Sequence, residues 1–271
     1  MIIERSLISL NDVQKKMLRS GWGEKTAGET AVEKMLYESA GREVEGYIAY
    51  PKDIREPLPV IIWNRGGNLR EGRIDEFLAS GMYGEIASWG YVVLASQYRK
   101  DEEFGGRDVE DVLNLIPLAE SLEICNAERI GIEGWSRGGM MAYKSLCHTD
   151  RVRCAVVIAG IANLLRRSKS LKKLEQIYGH VFENDAHDKF SRRSAVRFAH
   201  KMFPSTAILL IHGTNDHTVS HLDSVEMHEI FKEQGRISEL KLIEGGDHFL
   251  RHHRAEVSGL RREWFSRFLK N

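Results

Sequence analysis

Short apolar runs alternate with amphipathic segments along most of the chain. Runs of this kind are typical of strands that are buried on both faces of a sheet, and the segments between them have helical periodicity. The predicted strands lie at residues 31–38, 43–50, 60–63, 91–95, 129–133, 154–159, 207–211 and 239–243. The first two, separated by Ser39-Ala40-Gly41, predict an antiparallel hairpin. The alternation predicts an α/β fold with a mostly parallel central sheet and helices on both faces.

The segments around these strands are predicted to be helical. One helix is expected over residues 108–116, with Pro117 kinking its end, and another over residues 140–146. Residues 1–30 are expected to form an N-terminal helical extension, a short helix followed by a loop. Residues 160–204 are rich in Lys and Arg and carry no strand signal, so they are expected to form a helical insertion.

The insertion at residues 160–204 has two interpretations. It begins at the carboxyl end of a predicted strand, where open α/β sheets bind their ligands, so it is a candidate lid. A solvated amphipathic packing helix explains the pattern equally well. The length of the chain suits one large α/β domain, which we expect to span residues 1–271.

Composition narrows the classes of function. Hydrophobic residues make up 42% of the chain, which fits a soluble globular protein. The formal net charge is +0, so nucleic acid is not an expected partner. No apolar run approaches about 18 residues and the N-terminus lacks a signal-peptide pattern, so we expect no membrane partner and a cytoplasmic location. Cys125, Cys147 and Cys154 match no metal or disulfide spacing and are expected to be core thiols.

The most informative motif is Gly134-Trp135-Ser136-Arg137-Gly138. It matches the pattern G-x-S-x-G, and it lies between a predicted strand and a predicted helix, which is the context of a nucleophile elbow. A serine hydroxyl is a poor nucleophile alone. It needs a base, and an anion that orients the base.

Asp216 and His248 are candidates for those two groups. Each follows a predicted strand, so both lie at the carboxyl edge of the sheet, and the order Ser136, Asp216, His248 is the order in α/β-hydrolases. His212 and His217 lie in the loop of Asp216 and are expected to be structural.

Other acids and histidines fit these roles less well. Asp223 is expected to be a surface or early-turn carboxylate of a helix, and Asp247 to point away from the histidine that follows it. The pair His252-His253 lacks the spacing of a known metal helix, so a surface histidine cluster is favoured. We expect no metal and no cofactor.

Acyl transfer also needs N–H donors that stabilise the oxyanion. The backbone N–H of Arg137 is one candidate, because it lies at a predicted helix N-terminus. The loop Asn64–Asn68 is the expected source of the other, because Gly66 and Gly67 let the backbone approach a ligand closely.

Taken together, these segments resemble the catalytic domain of the prolyl oligopeptidase family of serine peptidases. The resemblance covers about residue 31 to the end and is carried by residues 134–139, 212–216 and 246–249. It implies that Ser136 is the nucleophile, His248 the general base and Asp216 its orienting partner. It also implies that Gly67 and Arg137 donate their N–H groups to the oxyanion, and that a short peptide or an aminoacyl derivative is the substrate; a small ester is the other substrate class that we expect such a site to accept.

The chain departs from the family in two ways. The usual loop reads His-Gly-Gly-Pro, whereas Arg65 and Asn68 occupy its outer positions here. Larger members also carry a β-propeller that filters peptides by size, and a chain of this length leaves no room for one. A carboxylesterase of small acyl esters is therefore one alternative, and a non-catalytic binding protein with the α/β-hydrolase fold is another.

Two arginines near the predicted site have two interpretations. Arg65 and Arg137 would either form a positive rim that favours a substrate carboxylate, or pair with acids such as Glu71 or Glu133. A tryptophan beside the nucleophile is usually core packing. The candidate substrate-binding residues are Arg65, Gly66 and Trp135. The oligomeric state stays open.

Overall fold

A computed structural model of the chain describes residues 1–166, 168–182 and 185–270. The strands are β1 (Ile2–Leu7), β2 (Thr30–Ser39), β3 (Arg42–Pro51), β4 (Leu58–Asn64), β5 (Val92–Ser96), β6 (Cys125–Trp135), β7 (Val152–Ile158), β8 (Ala207–Gly213) and β9 (Ser238–Ile243). Within the described residues they form one sheet in the order β1-β2-β3-β5-β4-β6-β7-β8-β9. The strands β1, β2, β3 and β5 pair antiparallel, and the pairs from β5 through β4 to β9 are parallel. The predicted α/β fold with a mostly parallel sheet is confirmed.

Helices pack on both faces of this sheet. They are α1 (Asp12–Glu29), α2 (Glu76–Ser88), α3 (Val109–Leu113), α4 (Leu115–Glu120), α5 (Arg137–Ser145), α6 (Ser168–Ile177), α7 (Gly179–Phe182), α8 (Ala186–Ser191), α9 (Ala195–Phe198), α10 (Leu222–Glu233) and α11 (Arg254–Leu269). In the part of the chain that the structure describes, no helix is both long and apolar enough to cross a membrane.

The core consists of two hydrophobic layers, one on each face of the sheet. Alternate residues of β4 and β5 point to opposite layers: Val60, Ile62, Val92 and Leu94 to one, and Ile61, Trp63, Val93 and Ala95 to the other. Both faces need apolar side chains, so the central strands have continuous apolar runs rather than alternating ones. The helices α3 to α5 and α10 cover the first layer, while α2 and α11 cover the second.

The N-terminal segment differs from the prediction. Residues 1–30 were expected to be a short helix and a loop, but β1 is the edge strand of the sheet and α1 continues to Glu29. The strand escapes detection because it is short, mixes apolar with polar residues and is mostly exposed, as edge strands often are. Asn11 caps α1, and Gly23 interrupts it with a left-handed φ of 87°.

The predicted hairpin is confirmed, whereas the predicted helix over residues 108–116 is divided. The strands β2 and β3 pair along their whole length around the turn Ala40-Gly41. The helix instead forms α3 and α4, which meet at Asn114. Pro117 has no N–H to donate to the preceding turn, so the break falls just before it.

Residues 160–204 form short helices between β7 and β8. They comprise α6 to α9 and the 3₁₀ turns Leu164–Arg166 and Ala199–Lys201. Arg167, in the basic stretch of this insertion, lies outside the described residues. Because β7 runs parallel to β6 and ends at the same edge of the sheet, the insertion begins beside the loop that follows β6.

Candidate active site

Ser136 occupies a sharp turn between β6 and α5. Its φ of 57° and ψ of −119° are unfavourable for a residue with a side chain, and such conformations cost about 1–3 kcal/mol. Neighbouring segments hold the backbone there: its N–H donates to the Ile158 carbonyl at 2.9 Å, and its carbonyl accepts from the N–H of Ile161 at 3.1 Å. The turn therefore has the geometry of a nucleophile elbow.

The glycines of the motif are required by space. A Cβ at Gly134 would lie 2.1 Å from the Gly138 carbonyl oxygen, and a Cβ at Gly138 would lie 2.0 Å from the Asn64 carbonyl oxygen. The elbow is thus pressed between its own helix and the end of β4. Only glycine permits both contacts.

Ser136, His248 and Asp216 form one chain of hydrogen bonds. His248 Nε2 lies 3.1 Å from Ser136 Oγ, and His248 Nδ1 lies 2.7 Å from Asp216 Oδ2. A carboxylate only accepts, so Nδ1 carries the proton and Nε2 is free to accept one from the serine. The three residues follow β6, β9 and β8 and meet at the carboxyl edge of the sheet.

Asp216 is fixed by several donors. Its Oδ1 accepts the N–H groups of Thr218 and Val219 at 2.7 and 2.8 Å, and its Oδ2 lies 3.2 Å from His212 Nε2. Burial alone would raise the pKa of Asp216, but the hydrogen bonds from His212, His248 and Val219 outweigh it, so the pKa is lowered. The carboxylate therefore stays charged at neutral pH.

The rival residues lie elsewhere. His212 is fully buried and contacts Asp216, the Val219 carbonyl and Ser224, which is a structural role as expected. His217 is exposed at the cavity mouth. Asp223 is in the first turn of α10, as expected. Its carboxylate is buried rather than on the surface, and it accepts the N–H groups of Ala162 and Asn163.

The loop after β4 passes directly over the serine. A Cβ at Gly66 would lie 3.2 Å from Ser136 Cβ, and Gly67 has a left-handed φ of 80°. Among the described residues, neither the N–H of Gly67 nor that of Arg137 donates a hydrogen bond to another part of the chain. Both predicted donors are thus free to bind an anion beside Ser136.

The two departures from the family loop support its conformation. The side-chain oxygen of Asn68 accepts the N–H of Arg70 at 2.8 Å. The backbone N–H of Asn68 donates to the Glu71 carbonyl at 2.8 Å, and the two bonds close a tight turn. Arg65 anchors the loop from below by donating to the Gln97 carbonyl at 2.9 Å. The loop therefore gives no support to a non-catalytic protein.

Of the two interpretations of Arg65 and Arg137, the structure shows pairing with acids rather than a positive rim. Arg65 and Arg137 are 2% and 1% exposed, and they pair with Glu102 and Asp108 rather than with Glu71 or Glu133. Glu102 binds Arg65 at 2.8 Å and Arg137 at 2.9 Å. Two cations thus meet two carboxylates beneath the elbow, and Arg65 does not line the cavity. The substrate-binding assignment of Arg65 is therefore incorrect.

Three residues that support the elbow and the loop over the serine are not indicated by any local sequence pattern. Glu102 and Asp108 come from the loop before α3, and Tyr178 follows α6. Burial raises the pKa of Tyr178, so its hydroxyl stays protonated and donates to Glu102 at 3.1 Å. The same hydroxyl accepts the N–H of Leu69 at 2.9 Å, which ties the insertion to the loop over the serine.

A cavity of about 1210 Å³ opens around Ser136. Gly66 and Trp135, two of the predicted substrate-binding residues, line it. Trp135 also packs on the core, and its indole N–H donates to the His248 carbonyl at 3.1 Å. It therefore both borders the cavity and holds the histidine loop.

The cysteines and the histidine pair lie apart from this cavity. Burial raises the pKa of Cys147 to about 11, and that of Cys125 to about 12. His252 is exposed and His253 pairs with Glu256. Over residues 1–166, 168–182 and 185–270, no group of three or more metal-binding side chains is placed to hold an ion.

Comparison with known proteins finds relatives that are named as peptidases. The uncharacterized peptidase YtmA of Bacillus subtilis (strain 168) is 26% identical over 214 residues, which are 73% of this chain and 79% of the relative. An acylaminoacyl peptidase structure from Pyrococcus horikoshii superimposes with a TM-score of 0.75 and 21% identity, over 90% of this chain and 42% of that one. A puromycin-hydrolyzing peptidase of Mycobacterium tuberculosis also has a TM-score of 0.75, at 19% identity over 87% of this chain and 39% of that one.

The two structural neighbours establish the fold, and this chain spans about two fifths of their length. The sequence model described as the prolyl oligopeptidase family, Peptidase_S9, matches residues 86–271, which include β5 to β9 and the whole Ser136, Asp216 and His248 arrangement. The chain therefore belongs to the prolyl oligopeptidase family and is a serine hydrolase of that type.

Proposed function

We propose that this protein is a serine peptidase that cleaves short peptides or aminoacyl derivatives through an acyl-enzyme on Ser136. The observation that carries the proposal is the hydrogen-bond chain from Ser136 through His248 to Asp216, with distances of 3.1 and 2.7 Å. Such a chain turns a weak hydroxyl nucleophile into an effective one.

The acylation step follows from this geometry. Ser136 Oγ attacks the substrate carbonyl carbon while His248 Nε2 takes the hydroxyl proton. Asp216 holds the ring in the required tautomer and stabilises the imidazolium that forms. His248 then gives the proton to the leaving amine, the C–N bond breaks, and the acyl group remains on Ser136. Water repeats the sequence and releases the acid.

The negative oxygen of each tetrahedral intermediate binds to the N–H groups of Gly67 and Arg137 in this proposal. One such donor typically contributes about 3 kcal/mol to the transition state. The ion pairs of Arg65 and Arg137 below the elbow keep both backbones in place. These arginines therefore act as supports rather than as substrate ligands.

The helices of residues 160–204 serve as a lid in the same proposal. Leu174 and Ile177 of α6 line the cavity, and Tyr178 reaches the loop over the serine through Leu69. Such a cover excludes water from the acyl-enzyme and limits the size of the substrate.

Cavity size and the relatives favour short peptides. A volume of about 1210 Å³ lies just above the ~300–1,000 Å³ of ordinary small-molecule sites. The Bacillus subtilis relative is named a peptidase, and the Pyrococcus horikoshii structure is an acylaminoacyl peptidase. Both names support an amide substrate.

A fluorophosphonate probe tests the nucleophile. The folded protein is expected to take up one probe per chain, and peptide mass analysis is expected to locate it on Ser136, because only an activated serine reacts. Protein unfolded in urea before the probe is added serves as the control and stays unlabelled. Absence of label on the folded chain, or label on a different serine, contradicts the proposal.

A second assay separates the peptidase from the esterase alternative. We expect hydrolysis of both aminoacyl naphthylamides and short-chain p-nitrophenyl esters, with kcat/KM for the amide within the ~10⁴–10⁸ M⁻¹s⁻¹ of ordinary enzymes. Both activities should fall in proportion to the fraction of chains that carry the phosphonate. Turnover of the esters alone identifies a carboxylesterase instead.

A further inference from the structure

The cavity at Ser136 extends onto both faces of the sheet. Phe104, Ile161 and Leu174 line one half and belong to the hydrophobic layer under α3 to α5. The other half belongs to the layer under α2 and α11. We call this second half the α2–α11 pocket; its apolar walls are Trp22, Trp63, Leu78, Met82, Trp135 and Val257. Ser136 thus lies where two binding regions meet.

The α2–α11 pocket lies on the side of His248. Leu250, two residues after His248, and Val257 of α11 both pack in the layer that forms this pocket. The Trp135 indole, another of its walls, donates directly to the His248 carbonyl. The histidine gives its proton to the leaving group, so the leaving group has to lie next to it. The pocket is therefore placed for the leaving group rather than for the acyl group.

The chemistry of the α2–α11 pocket suits an uncharged guest. Most ionised side chains on this side of the cavity pair with one another: Arg261 binds Glu133 at 2.8 Å and Glu85 at 3.0 Å. The guanidinium of Arg251 instead stacks on the Phe249 ring, 4.7 Å from its centre. Arg254 lies 3.8 Å from Glu85, so two cations face two carboxylates. The remaining wall contains three indole rings and aliphatic side chains. Such a surface attracts aromatic rings and bulky apolar groups.

Trp22 is brought to this pocket by the N-terminal helix. The ring packs so closely on α2 that a Cβ at Gly81 would lie 2.4 Å from it, and it meets the Phe77 ring edge-on at 5.8 Å. The Arg254 guanidinium lies 4.3 Å above its centre. With these contacts holding the ring, Trp22 presents a fixed aromatic surface to the cavity.

We propose that the α2–α11 pocket binds the leaving group of the substrate, an amine or alcohol with an aromatic or bulky apolar side chain, and that Trp22 determines this preference. The inference rests on the proposed acyl-enzyme mechanism. For a peptide, it assigns an aromatic or large apolar residue to the position just after the cleaved bond. Trp22 is a specificity-determining residue and takes no part in proton transfer.

Acyl transfer to added amines isolates this pocket. The enzyme is acylated with p-nitrophenyl acetate, and phenylalanine amide or glycine amide then competes with water for the acyl group. The amine nitrogen attacks the ester carbonyl and forms the amide bond. The bond to Ser136 Oγ breaks, and the amine proton returns to Oγ through His248. This step is the reverse of leaving-group departure, so the acceptor occupies the leaving-group site.

We expect the wild-type enzyme to prefer phenylalanine amide over glycine amide by about tenfold, the effect of one well-packed aromatic contact. The Trp22→Ala variant should lose most of this preference, measured as the ratio of the two amide products. The Met82→Trp variant, which fills the pocket from α2 and leaves α1 intact, should lose it as well. Met17→Ala is the matched control, because Met17 is on α1 but 55% exposed and outside the cavity.

The outcomes separate a failure of the acyl-enzyme mechanism from a failure of the leaving-group pocket. Release of p-nitrophenol faster than the spontaneous hydrolysis of the ester reports acylation of the enzyme, and its absence overturns the proposed function together with this inference. Normal release with equal acceptance of both amides overturns only the leaving-group pocket. A Trp22→Ala enzyme that keeps the full preference, with a melting temperature equal to that of Met17→Ala, overturns the role of Trp22.

Discussion

Replacing Asp216 with asparagine is expected to lower kcat by about 10⁴-fold while the protein stays folded. The amide oxygen can still accept the N–H groups of Thr218 and Val219. Its NH₂ group then faces His248 Nδ1, which presents an N–H in the wild type. Two donors repel, so the ring must adopt the other tautomer. Nε2 then carries a proton and cannot accept one from Ser136.

The activity should be measured on an aminoacyl naphthylamide, with circular dichroism to verify folding. Asp247→Asn is the matched control, since Asp247 precedes His248 in sequence but its carboxylate, among the described residues, accepts the N–H of Arg251 at 3.3 Å rather than that of the histidine. We expect its kcat to stay near the wild-type value. Equal losses in both variants would show that Asp216 does not orient the histidine.

Replacing Gly138 with alanine is expected to destabilise the protein by more than about 4 kcal/mol, in the range of severe core overpacking. The new Cβ would lie 2.0 Å from the Asn64 carbonyl oxygen, and both partners are backbone. Asn64 cannot retreat, because it pairs with Ser96 on one side and Gly134 on the other. The side chain of Asn64 also donates to the Glu133 carbonyl at 3.0 Å.

Urea unfolding, or the soluble fraction where unfolding is too easy to follow, measures this effect. Gly259→Ala on α11 is the control, since nothing lies within 4 Å of its Cβ position. In that helix interior the added methyl group should stabilise by about 0.5–1 kcal/mol. A Gly138→Ala protein as stable as the Gly259→Ala protein would mean that the elbow is not tightly packed against β4.

The parts of the site that the sequence predicts are those with local signals. Ser136 lies in a strand-turn-helix segment, and Asp216 and His248 follow apolar runs, so their common edge follows from sheet geometry. The burial of Arg65 and Arg137 depends instead on Glu102, which is 37 residues from Arg65 in sequence and has no patterned spacing to either arginine. The local sequence around an arginine next to a nucleophile is the same whether the side chain faces the substrate or the core.

The N-terminal segment shows the same limit in the fold. The exposed strand β1 has only a short apolar stretch at its start, and its position depends on pairing with β2. Trp22 appears in sequence as an isolated aromatic residue of a polar helix. Its place in the cavity wall depends on Gly81, 59 positions later, where the absence of a side chain lets the ring approach α2. Neither contact leaves a trace in local periodicity.

The unfavourable backbone conformation of Ser136 links reactivity to the neighbouring strand. The bond from its N–H to Ile158, the last residue of β7, resists relaxation of that peptide toward an ordinary dihedral angle. Loosening the end of β7 would turn the hydroxyl away from His248 while the hydrophobic layers stay closed. We therefore expect activity to be lost on heating at a lower temperature than that of the cooperative melting of the sheet, because one peptide unit is enough to misplace the hydroxyl.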